Sequence, residues 1–221
     1  MNTIYRIASA ALVAGIANSA LAAPVVLDFE TPTSFESILE HYNGGTDGAG
    51  IAGGEFGVSF EADAIALRND VLGPYFSNAP TPIGVLAVTG TSSALNVARG
   101  FSGLVSLSYA AEEVSELRLW SAAGASGFVL GTIEVTANAA GCAPGNPLCT
   151  FSVASFDLGS SVARSIDFSD ASGKAVVFDN VTFSAVPVTP PVPEPGSAAL
   201  IGLGLASLAV LRQRRRSRSA V

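Results

Sequence analysis

The stretch "KAVVFDNVTF" (Lys174–Phe183) alternates residue types with a period of two and is rich in β-branched and aromatic side chains. That pattern predicts a strand with one buried face, on which Val177, Asp179, Val181 and Phe183 fall together. Nine further bursts of the same kind precede it: "VVLDFE" (25–30), "FGVSFE" (56–61), "IGVLAVT" (83–89), "ALNVA" (94–98), "FSGLVSLSY" (101–109), "VSELRLWS" (114–121), "FVLGTIEVTA" (128–137), "FSVASFDL" (151–158) and "VARSIDF" (162–168). Gly, Ser, Asn and Pro bound most of them, and no helical stripe is sustained between Ala23 and Gly196. A series of short strands with turn signals between them predicts an all-β fold, a single β-sandwich over 24–185. One short helix is expected around Ser34–His41, where Ser34 and Glu36 suit a first turn.

The two ends of the chain read differently. Residues 1–22 carry a single basic residue, Arg6, then an apolar run, then Ala20-Leu21-Ala22, the layout of a secretory signal peptide. At the other end, proline-rich 186–195 predicts an extended linker. It leads into Gly196–Leu211, sixteen residues without a charge, and then Arg212, Arg214, Arg215, Arg216 and Arg218. As a helix that run spans about 24 Å, against a hydrocarbon core of about 30 Å. Residues 196–221 are therefore expected to form a single transmembrane sorting helix and an Arg-rich tail, the helix spanning only with its flanks or by thinning the bilayer and the arginines held on the cytoplasmic side.

Without its ends the chain is strongly acidic. Between Pro24 and Pro191 stand five basic residues (Arg68, Arg99, Arg118, Arg164 and Lys174) against seventeen acidic ones, a net −12 where the whole chain counts −7. Such a surface disfavours nucleic acid and favours solubility and divalent cations. Cys142 and Cys149 flank six residues that include Pro144, Gly145 and Pro147. In an exported chain they predict a disulfide around a tight loop, with a two-ligand metal site as the rival.

Val192-Pro193-Glu194-Pro195, the apolar run and the terminal arginines, in that order, resemble the PEP-CTERM sorting signal. The resemblance implies an exosortase as partner and a transient membrane association through 196–211. It further implies passage through the inner membrane of a Gram-negative bacterium, then delivery to the cell surface or extracellular matrix. The pieces "DFE" (28–30), "YNGGTDGAG" (42–50), "GVSF" (57–60), "GFVLGTIEVTAN" (127–138), "RSIDF" (164–168) and "FDNVTF" (178–183) also resemble domains found ahead of such tails. That likeness implies a jelly roll of the galactose-binding type, in which a structural calcium and a sugar-binding face are both common.

Candidate sites follow from both readings. A buried Asp179 needs a cation or hydrogen-bond donors. With Glu30 at the end of the first strand and Asp47 in the glycine-rich loop "NGGTDGAG", it forms a candidate Ca²⁺ set, the alternative being backbone amides around Asp179. No GK[ST] follows the glycines, so a phosphate-binding loop is not expected. Trp120, the single tryptophan, falls on the face of Glu116 and Arg118 and is a candidate for stacking on a sugar, or else a cap on the rim of the core. His41 is the single histidine, and no G-x-S-x-G or HExxH occurs. The expected function is a non-catalytic surface or matrix protein associated with exopolysaccharide. A dedicated carbohydrate-binding module is the alternative, and a hydrolase using Glu112, Glu113 and Glu116 the more distant one.

Overall fold

The structure, a computed structural model, describes residues 24–70, 74–143, 146, 148–187, 201, 202, 204 and 205. The chain divides into two compact units, Met1–Val186 and Pro187–Val221. In the first, the described residues form ten strands: β1 (Pro24–Leu27), β2 (Val58–Phe60), β3 (Ala64–Arg68), β4 (Gly84–Val88), β5 (Leu95–Ala111), β6 (Ser115–Ala122), β7 (Ser126–Val135), β8 (Ser152–Asp157), β9 (Ala163–Asp167) and β10 (Val176–Ala185). The all-β expectation holds. β3, "AIALR", is the strand that the sequence did not single out, and the bursts 94–98 and 101–109 run together as β5.

The strands form one hydrogen-bonded sheet, in the order β3-β4-β10-β5-β9-β6-β7, with β1 on β10 and with β2 and β8 on β5. The two separate sheets of a sandwich are thus corrected to a single curled, jelly-roll-like sheet. The cause is β5. Its 17 residues would extend about 56 Å if straight, far more than one layer needs. On one edge its partner changes from β2, at Leu95–Val97, to β10, at Phe101–Ala111. On the other edge it pairs with β9 and then with β8. Between the pairs Asn96↔Ser165 and Phe101↔Ala163, five steps along β5 match two along β9, so β5 bulges here by three residues. Gly100 allows the bend. Its φ is +76°, and a Cβ there would lie 2.8 Å from the Ala163 carbonyl oxygen and 2.5 Å from Val162 Cγ1. The curl also brings β7 and β8 together, the Phe156 ring lying where a Cβ on Gly131 would be, 2.3 Å away.

The main core fills the concave side with Leu27, Phe29, Phe60, Leu95, Phe101, Leu117, Leu119, Phe168, Phe178, Val181 and Phe183, all buried. A smaller cluster of Phe76, Val85, Ala110, Leu148 and Val177 covers the opposite face of β4, β5 and β10. Residues 34–41 form turns rather than the expected helix, because Phe35 (φ 64°) and Leu39 (φ 49°) adopt left-handed backbone that a helix cannot include. The first unit has a 3-10 turn at Ser169–Ala171.

The expected transmembrane sorting helix over 196–221 is corrected. Among the described residues no helix is long and apolar enough to cross a membrane. Of that segment only Ile201, Gly202, Gly204 and Leu205 are described, in helical conformation. As a helix the uncharged run would reach about 24 Å, less than a hydrocarbon core of about 30 Å. The transient membrane partnership through 196–211 and the inner-membrane stage, which both rested on that helix, are corrected with it. The signal peptide (1–22), Val192, Pro193, Glu194, Pro195 and the arginines 212–218 lie outside the described residues.

Candidate functional site

Three carboxylates hold the loops of the first unit. Asp179, fully buried, accepts hydrogen bonds from the Thr81 amide (2.9 Å), the Thr81 hydroxyl (2.7 Å) and the Asn180 amide (2.6 Å). Burial pushes its carboxyl above the usual carboxylate range against the pull of these donors, and the charge of Glu30 adds to the rise. Its position corrects the face expected from strict alternation. Asn180 has a φ of 48°, and the register to β5 shifts just after Asp179. Phe178 and Val181 therefore face the same core, while Asp179 lies with Val177 on the other side of the sheet.

Glu30 accepts from the amides of Ile83 and Gly84, both at 2.9 Å. Asp47, almost wholly buried, accepts from the amides of Thr33 (2.8 Å), Ile51 (2.9 Å) and Ala49 (3.0 Å). Burial alone would raise its pKa, but these donors outweigh burial and hold it below the usual range. Among the described residues no three His, Cys, Asp or Glu side chains come together as ligands for a metal. Glu30 and Asp179 are neighbours, whereas Asp47 is committed to its own loop. Both amides on Glu30 go to its Oε1, while the two oxygens of Asp47 and of Asp179 each accept at least one donor.

His41 is buried with the loop it closes. Its Nδ1 donates to the Ile51 carbonyl (3.2 Å), which leaves Nε2 to accept from the Thr31 hydroxyl (2.8 Å) in the neutral ring. Trp120 lies on the outer face of β6 as expected, with Glu116 and Arg118 exposed beside it and Leu117 and Leu119 buried opposite. The ring is partly buried, and its indole N–H is buried without a partner among the described residues. Glu116 binds Arg118 at 2.8 Å, while Glu112 and Glu113 are exposed in the β5–β6 turn. Cys142 and Cys149 form the expected disulfide, their Cα atoms 5.6 Å apart.

Among the described residues there is also a cleft that the sequence did not indicate. It has a volume of about 440 Å³ and is lined by Asn43, Glu55, Phe56, Val97, Ala98 and Arg99, together with Gly57 and Ala185. It lies where β5 exchanges β2 for β10, so the β5 bulge supplies one wall and the glycine-rich loop the other. The Phe56 ring is 47% exposed and meets the buried Tyr42 ring edge-on at 5.9 Å. Burial, with the charge of Asp28, holds the Tyr42 phenol above the ordinary tyrosine range.

No curated protein and no solved structure matches the chain. The scan of family models finds the PEP-CTERM protein-sorting motif at residues 191–216. Behind an acidic all-β unit, the chain thus carries a PEP-CTERM sorting motif, the mark of an exported protein sorted to the surface.

Proposed function

We propose that this protein is a non-catalytic component of the cell surface or extracellular matrix, released there by an exosortase and associated with exopolysaccharide. The sorting motif at 191–216 carries the reading. The engagement of the titratable groups supports the non-catalytic part. His41, Asp47, Glu30 and Asp179 each serve backbone or hydroxyl partners that hold loops in place, which is structural work. The net −12 of the residues between Pro24 and Pro191 suits a soluble module outside the cell.

The test is fractionation of the tagged protein from its natural host, beside a variant with Pro193, Glu194 and Pro195 all replaced by alanine. The proposal expects the wild type at the surface or in the matrix, shortened at its C-terminus and cosedimenting with matrix polysaccharide. The variant should be retained in the cell at full length. Wild-type protein in the cytosol with its arginines intact would overturn the reading.

A further inference from the structure

The cleft at the β5 bend has the composition of a saccharide site. Phe56 offers an exposed ring beside polar groups, an apolar face of the kind that packs on the C–H side of a pyranose. A Cβ on Gly54 would fall 2.4 Å from the Phe56 ring, so the bare backbone there seats the ring. Arg99 and Glu55 line the same cleft, yet neither makes an ion pair or a side-chain hydrogen bond among the described residues. Their donors and acceptors remain available to a ligand. Asn43 gives its Nδ2 to Glu40 (2.7 Å), which leaves its side-chain oxygen to accept. The cleft's volume, about 440 Å³, lies within the range of small-molecule sites.

We propose that this cleft binds a neutral saccharide unit, with Phe56 under the ring and Arg99, Glu55 and Asn43 on its hydroxyls. The inference rests on the exopolysaccharide reading above and names its site. Charge decides the class of sugar. Arg99 and Glu55 offset one another within the cleft, and Arg164, donating to the Ala98 carbonyl, is the further cation beside it. Around them the net −12 of residues 24–191 repels a polyanion. A neutral sugar meets no such opposition and uses the donors and acceptors together.

The probes are cello-, malto- and galacto-oligosaccharides and an oligogalacturonate, titrated calorimetrically into the full chain and into Phe56→Ala, Arg99→Gln and Trp120→Phe. Phe56 and Arg99 are exposed and Trp120 is partly buried, and circular dichroism checks that each variant folds. At least one neutral oligosaccharide should bind, about tenfold more weakly to Phe56→Ala and about fivefold more weakly to Arg99→Gln, with Trp120→Phe unchanged. No neutral probe binding, binding of the oligogalacturonate alone, or loss in Trp120→Phe only would each overturn the assignment. Cosedimentation of the same variants with matrix polysaccharide separates the two claims. If Phe56→Ala and Arg99→Gln cosediment as the wild type does, this site falls while the surface function stands.

Discussion

Thr81 gives both its backbone N–H (2.9 Å) and its hydroxyl (2.7 Å) to the carboxylate of Asp179, ninety-eight residues further along the chain. The same hydroxyl lies 3.1 Å from the Asp28 carbonyl, so one threonine joins the end of the first strand to the last. Thr81→Val keeps the shape and leaves a buried carboxylate short of a donor. It should cost about 1–3 kcal/mol, read from urea denaturation. The raised pKa of Asp179 fixes the sign with pH. Its contribution is complete below the ordinary aspartate value and is lost as pH rises through the folded one. The stability gap between the wild type and Asp179→Asn should therefore narrow as pH rises from acid toward neutral.

Calcium is the second point on which the same residues speak. Thr81 and Asn180 donate to both oxygens of Asp179, and Ile83 and Gly84 to Oε1 of Glu30, so the clamp is expected to hold without a cation. Melting temperatures in chelator and in millimolar calcium should agree within about 1 °C, since a ligand stabilises only in proportion to its binding to the folded state. A rise of several degrees with calcium would contradict this account of the clamp.

Asp47 titrates in the opposite sense. Its folded pKa lies below the ordinary value, so its stabilisation is present above that value and is lost as pH falls through the folded one. Asp47→Asn places an amide group against backbone donors and should cost about 1–3 kcal/mol at neutral pH. The difference from wild type should shrink below roughly pH 4. Denaturation curves collected from pH 3 to 7 check both the size and the direction.

Gly100 is the position at which the bend of β5 is most exposed to mutation. Gly100→Ala puts a Cβ on a left-handed backbone and against the Ala163 carbonyl oxygen. A loss of about 2 kcal/mol or more is expected. Because the bend also forms one wall of the cleft, saccharide affinity should fall with stability. Gly103, with a φ of +71° but open space around its Cβ position, should tolerate alanine better.

The Cys142–Cys149 bridge closes a loop with a sequence separation of 7. Chain-entropy arguments give such a loop about 2–3 kcal/mol at most. Leu148, beside it, packs with Phe76 in the smaller apolar cluster. Reduction, or replacement of both cysteines by serine, should lower the melting temperature by several degrees while leaving the β-sheet circular dichroism in place.

Much of this molecule was legible in one dimension. The period-two bursts predicted strands because alternation is a local property of the backbone. The disulfide and the terminal sorting motif were legible because their spacing and order are local too. Strict alternation failed at Asn180, where one left-handed residue reverses every face after it and moves Asp179 across the sheet. β3 went unread because "AIALR" is short and nearly continuous in apolar residues.

What the tertiary structure alone decided is which distant groups meet. Thr81 reaches Asp179, Asp47 accepts from the amides of Thr33, Ala49 and Ile51, and Phe56 and Arg99 line one cleft where β5 changes its partner. No spacing rule encodes these meetings. They depend on how a 17-residue strand bends and on which edges pair after it does, and long-range pairing energy sets both.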